Sequence, residues 1–77
     1  MDVHRHLCKN LRHLRKVYNL TQKEMAQILG ISVGKLGRIE RCEPGVKITA
    51  DLLCRACDRF DRSADELLFE VYTPGEN

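Results

Sequence analysis

Lys35, Arg38 and Arg41 follow one another at intervals of three residues, and Gln22 and Lys23 come directly after a threonine earlier in the chain. An arginine carries five N–H donors in a planar fork that matches paired acceptor oxygens, and lysine adds point charge, so this set suits a polyanion better than a chemical reaction. A second set is thiol and imidazole. Cys54 and Cys57 form a C-x-x-C spacing, and His4, His6 and Cys8 stand at i, i+2 and i+4. Metal or redox chemistry needs such groups to converge, with thiolates stabilised by nearby positive charge. Cys57 instead falls on an apolar helical stripe with Cys54 one turn earlier near the same side, and the second ligand pair of a structural zinc site is missing. Reduced packing or surface cysteines are therefore expected, with no metal and no cofactor. No nucleophile, base and oxyanion donor can be assembled, and there is no glycine-rich phosphate loop, so an enzyme is not expected.

The elements that must position these residues read as helices. Val3, Leu7, Leu11, Leu14 and Tyr18 recur every three or four residues, which predicts a first helix from Val3 to Tyr18, capped by Asp2 and closed by a left-handed Asn19. Thr21 to Glu24 is a capping box, in which threonine and glutamate each satisfy the other's backbone N–H. It opens a second helix with Met25, Ala26 and Leu29 inward and Gly30 as its stop. Ile31 fills the turn. Ser32 caps a third helix to about Arg41, with Leu36 and Ile39 inward. At about 100° per residue, Gly34, Gly37, Arg38 and Arg41 share the opposite face, with Val33 and Lys35 at its edges. After Pro44 and Gly45, Thr49 caps a fourth helix carrying Leu53, Ala56, Cys57 and Phe60. Ser63 to Glu66 is a second capping box for a short fifth helix with Leu67 and Leu68. The expected fold is an all-α, compact five-helix bundle: one domain over residues 1–72 with its core in 10–68, then a frayed tail, 73–77.

Seventy-seven residues suffice for one small core, and one domain is expected to perform the whole function. The formal charge of +2 conceals an asymmetry. Residues 1–48 carry ten Lys or Arg and four Asp or Glu, whereas residues 49–77 carry three and seven. That division predicts a basic face for a polyanion and an acidic face turned away from it. The first twenty residues lack an uninterrupted apolar run, so no signal peptide or membrane span is expected, and the location is expected to be cytoplasmic.

A capped helix, a tight turn at Gly30 and Ile31 and a second capped helix with a cationic outer face form a helix-turn-helix arrangement. With Asn10-Leu-Arg, Leu20-Thr-Gln-Lys-Glu-Met-Ala, Leu29-Gly-Ile-Ser, Leu36-Gly-Arg-Ile-Glu40 and Ser63-Ala-Asp-Glu-Leu-Leu68, the sequence resembles the phage repressors, Cro proteins and xenobiotic-response-element-type bacterial regulators. The resemblance runs from about Asn10 to Leu68. It implies a lambda repressor-like DNA-binding domain whose third helix enters the major groove of double-stranded DNA. It implies base reading at Val33, Gly34, Lys35 and Arg38, and phosphate contacts from Gln22, Lys23, Ser32, Arg41, Lys47 and Thr49. Helix amino termini present unpaired N–H groups and partial positive charge, which agrees with that phosphate role. It also implies an ion pair between Arg15 and Glu40 that fixes the third helix against the first. Family members commonly carry polar side chains at the positions matching Val33, Gly34 and Arg38; Val33 and Gly34 depart from that habit, and Gly34 and Gly37 have no side chain with which to read a base.

The function so implied is a sequence-specific transcriptional regulator, a repressor that binds a palindromic operator as a homodimer. The competing expectation is an antitoxin-like or assembly module whose main ligand is a protein. Its signature would be an apolar patch around Leu68, Phe69, Val71 and Tyr72.

Overall fold

The computed structural model describes residues 3–69. Five helices follow one another: α1 (Val3–Val17), α2 (Gln22–Leu29), α3 (Val33–Glu40), α4 (Ala50–Phe60) and α5 (Ala64–Phe69). No strand occurs among the described residues, which measure 28 × 26 × 21 Å. The proposed Asp2 cap and the tail of residues 73–77 lie outside them.

The apolar stripe of α1 packs as its spacing predicts, with Leu7, Leu11 and Leu14 buried. Its last member does not. The helix ends at Val17, Asn19 takes a left-handed φ of 57°, and Tyr18 stands 43% exposed with its ring 5.0 Å from that of Phe60. Met25, Ala26 and Leu29 of α2 and Leu36 and Ile39 of α3 complete one side of the core. On α4 the buried residues are Leu52, Ala56 and Phe60, so the stripe is rotated from the expected one: Leu53 and Cys57 are half-buried at its edge, and Cys54 is exposed. At about 100° per residue Leu52, Ala56 and Phe60 span about 80° of the helix, with the small Ala56 at the centre and the two large side chains on either side of it. Asn10 is buried among these apolar groups, and its Nδ2 donates to the Leu67 carbonyl at 2.7 Å, tying α1 to α5. A buried amide without such a partner would cost about 1–3 kcal/mol.

Local chemistry sets the boundaries. Thr21 Oγ1 accepts from the Glu24 N–H at 3.1 Å while Glu24 Oε1 accepts from the Thr21 N–H at 2.9 Å. Ser63 and Glu66 repeat the exchange at 3.1 and 3.0 Å. Ser32 and Thr49 cap α3 and α4 by accepting from the Lys35 and Leu52 N–H groups. Gly30 ends α2 with φ of 71°, the positive φ that the turn demands.

Both boxes make the fold sensitive to acid. Hydrogen bonds from the backbone and side chain of Thr21 hold the Glu24 carboxyl below its ordinary value, and Ser63 does the same for Glu66. A depressed carboxylate contributes stability that is present above its unfolded pKa, about 4.3, and is lost as pH falls through the folded value. Stability should therefore fall below about pH 4.5, and less steeply in a Glu24→Gln, Glu66→Gln variant. Denaturant melts at pH 7 and pH 3.5 check this; equal losses in the two proteins would contradict it.

Candidate nucleic-acid interface

The reading helix is built from its buried side outward. Leu36 and Ile39 anchor α3 in the core, which turns Val33, Gly34 and Arg38 to solvent. Val33 is 44% exposed, presenting methyl groups on an otherwise polar surface. Lys35 is half-buried at the edge of this face. A Cβ added at Gly34 would meet nothing within 4 Å, so this turn of α3 is open backbone. Gly37 does not share it. The projection placed Gly37 on the outer face, but it is buried, and a Cβ there would meet the Arg41 Nη1 at 3.2 Å. The cause is Arg41, which forms the carboxyl-terminal cap of α3 and folds back over it.

One carboxylate organises the surroundings. Glu40 Oε2 accepts from Arg15 Nε at 2.6 Å, and Glu40 Oε1 accepts from Arg15 Nη2 at 3.1 Å and from Gln22 Nε2 at 3.2 Å. The third donor of the Arg15 fork, Nη1, reaches the Leu20 carbonyl at 2.9 Å. The side chains of Arg15 and Glu40 are only 17% and 6% exposed. The end of α1, the entry to α2 and the end of α3 therefore meet at one ion pair, and the Gln22 amide is held at the start of α2 before any ligand arrives. This is the pair that the family resemblance implied. Its link to Gln22 was not legible, because nothing in the spacing of residues 22 and 40 signals contact.

The remaining candidates lie on the exposed rim. Lys23 is exposed at the start of α2, and Lys47 and Thr49 lie exposed between α3 and α4. The loop that carries them is tied to α1, where His4 Nε2 is 3.1 Å from the Val46 carbonyl. The Ser32 and Thr49 hydroxyls accept from their own helices, which leaves each hydroxyl proton available for a phosphate oxygen. Arg41 is paired with Glu43, its Nε 2.8 Å from Oε2, so part of its charge is neutralised within the chain. Among the described residues Lys23, Lys35, Arg38 and Lys47 have no carboxylate partner. Their charge is available to a ligand.

The four thiols are free and differ in burial. Cys8 is buried, Cys42 half-buried and Cys54 exposed, and burial pushes the Cys57 thiol above its ordinary value. Among the described residues no three His, Cys, Asp or Glu side chains are placed to hold a metal ion, and no helix is long and apolar enough to cross a membrane.

Comparison with known proteins agrees with this arrangement. A family model described as "Helix-turn-helix domain" matches residues 6–68. Antitoxin PezA of Streptococcus pneumoniae serotype 4 is 37% identical over 62 residues, covering 80% of this chain and 38% of that protein. Control protein C.SmaI of Serratia marcescens is 35% identical over 49 residues, 64% of this chain and 58% of that protein. The chain thus matches less than two thirds of the length of either relative. No solved structure matches at the same level. These matches bear out the resemblance to xenobiotic-response-element-type helix-turn-helix regulators that the motifs carry.

Proposed function

The chain belongs to the helix-turn-helix domain family, and on that premise we propose that it is a sequence-specific DNA-binding transcriptional regulator, a repressor that occupies a palindromic operator as a homodimer. The observation that supports this best is the fixed presentation of α3. A bidentate ion pair holds its far end to α1, its apolar side lies in the core, and Val33, Gly34 and Arg38 remain on the outside. A helix of this diameter fits the major groove. Arg38 then reads guanine through O6 and N7, Val33 packs on a thymine methyl, and Lys35 flanks the bases. Gly34 lets the α3 backbone approach the base edges.

Gln22, Lys23, Lys47 and Arg41 hold the phosphates, with the Ser32 and Thr49 hydroxyls at helix starts. Gln22 is already aligned by Glu40, so it pays less ordering entropy when it donates to a phosphate oxygen. One such domain reads only a few base pairs, and two copies on related half-sites supply useful specificity. The work is done in the cytoplasm, with DNA as the ligand and no cofactor.

A second reading, an antitoxin-like module that binds a protein, draws on the antitoxin relative and on Phe69, which is 49% exposed at the end of α5 beside a half-buried Leu68. The other two members of the expected patch, Val71 and Tyr72, lie outside the described residues.

Two alanine substitutions separate base reading from phosphate holding. Arg38→Ala should cost about 1–3 kcal/mol on a selected operator and little on random duplex, because a bidentate base contact contributes only where the right base is present. Gln22→Ala should weaken both duplexes by a similar factor, since phosphate looks alike in every sequence. Equal losses on both duplexes for Arg38→Ala would make Arg38 a backbone contact and leave specificity to DNA shape.

A further inference from the structure

Outside α3, the molecule carries a second concentration of positive charge that none of the roles above uses. Arg5, Lys9, Arg12 and Lys16 recur on α1 at intervals of four, three and four, and all four are exposed. At about 100° per residue they fall within roughly a sixth of the helix circumference, opposite the buried stripe of Leu7, Leu11 and Leu14, and they span about 16 Å along the axis. No acidic residue lies in α1, and none occupies its first turn, where a helix favours one.

This arrangement is unfavourable within the chain alone. Like charges three and four residues apart repel on a helix surface, and Arg5 near the amino terminus opposes the helix dipole. Elsewhere the fold pairs three exposed or half-exposed arginines with acids: Arg41 with Glu43, Arg55 with Asp51 and Arg62 with Glu66. Lys9, Arg12 and Lys16 have no such partner among the described residues. The stripe also contains no apolar residue, whereas the centre of a protein interface is depleted of charge and rich in aromatic and aliphatic groups. A polyanion relieves the repulsion without requiring an apolar core, and it releases counterions as it binds. The stripe ends at Lys16, next to Arg15, whose carboxylate partner also holds Gln22 at the start of α2. Lys16 therefore lies at the end of α1 that carries the contact to Gln22.

We propose that the outer face of α1, through Lys9, Arg12 and Lys16 with Arg5 at its far end, is a second DNA-backbone surface that engages phosphates flanking the half-site read by α3. The proposal rests on the DNA-binding reading given above. The second surface is blind to sequence and lengthens the footprint of each domain.

The test uses a Lys9→Gln, Arg12→Gln, Lys16→Gln variant of the whole chain, which leaves Arg38 and Gln22 untouched and keeps good helix formers at exposed sites. Binding to selected duplexes that end at the half-sites is compared with binding to duplexes extended by about one helical turn on each side, across a salt series. The wild type should bind the longer duplex at least about tenfold more tightly at low salt, and the variant should lose that gain. On the longer duplex the log-log salt slope should shrink by about 2–3 per bound protomer. A variant that keeps both the length gain and the slope overturns the proposal while leaving the α3 reading intact. If instead the wild type self-associates and the variant does not, with DNA binding unchanged, the stripe serves the exposed Asp58, Asp61 and Asp65 of a second copy, and the proposal fails. A wild type that binds neither duplex overturns both readings together. A circular dichroism melt of the variant matching or exceeding that of the wild type shows that any loss arises from charge, not unfolding.

Discussion

Affinity for duplex DNA should fall about 10²- to 10⁵-fold between 50 and 200 mM salt, with a log-log slope of roughly −4 to −8 for a bound dimer. The expectation comes from the cations that the fold leaves without carboxylate partners. Lys23, Lys35, Arg38 and Lys47 keep full charge, whereas Arg41, Arg55 and Arg62 are each paired with an acid of the same chain. Each phosphate that such a cation neutralises releases condensed counterions, so two copies with several contacts each give a steep slope. The acids of the carboxyl-terminal half do not cancel this, because part of that charge is spent locally on Arg55 and Arg62. Fluorescence anisotropy of a labelled duplex at a few salt concentrations measures the slope. A flat response, or no binding at low salt, would remove the DNA role and shift the weight to the protein-binding reading around Phe69.

Breaking the Arg15 and Glu40 pair should damage the fold about as much as truncating a core side chain. Removing one partner of a largely buried, hydrogen-bonded pair, with side chains 17% and 6% exposed, costs up to about 3–5 kcal/mol, because the other charge is left with little compensation. A domain of this size is stable by only about 4–11 kcal/mol, so Glu40→Ala should lower the melting temperature by about 15 °C or more. That variant strands the Arg15 guanidinium and frees the Gln22 amide at once. Arg15→Ala strands a carboxylate that is only 6% exposed. The double variant removes both charges and should lose at least about 1 kcal/mol less than the sum of the two. Arg15→Lys should not rescue the pair, since an ammonium cannot reach both oxygens and the Leu20 carbonyl with the geometry of a fork. Urea unfolding of the wild type, both single variants and the double variant closes the cycle. Strict additivity would show that the two residues do not interact.

Much of the fold was legible because its boundaries are set by local chemistry. Thr21 with Glu24, Ser63 with Glu66, Ser32 and Gly30 act within a few residues of themselves, and each cap or stop stands where its side chain demands. Packing was legible only where the periodicity had a single solution. On α4 two overlapping stripes share Ala56 and Phe60, one adding Leu53 and Cys57 and one adding Leu52, and it is the second that the core buries.

The interface was legible as a set of residues rather than as a set of contacts. An angular projection gives the direction in which each side chain leaves the helix, but it says nothing of where a long arginine ends. Gly37 was therefore placed on the open face, although the Arg41 guanidinium covers it. Likewise the Gln22 bond to Glu40 and the His4 contact with the Val46 carbonyl join residues far apart in sequence, and no local pattern records them.

The role of α3 in reading sequence is tested most directly by selecting bound duplexes from a random pool with the wild-type chain. Enrichment of two half-sites related by a two-fold axis is expected, with centres about 34–36 Å or a multiple of that apart and a guanine at the position that Arg38 reaches. Repeating the selection with Arg38→Ala should erase the preference at that guanine and leave the half-site spacing unchanged. A pool indistinguishable from its input, from protein shown to be folded, would contradict sequence reading by α3.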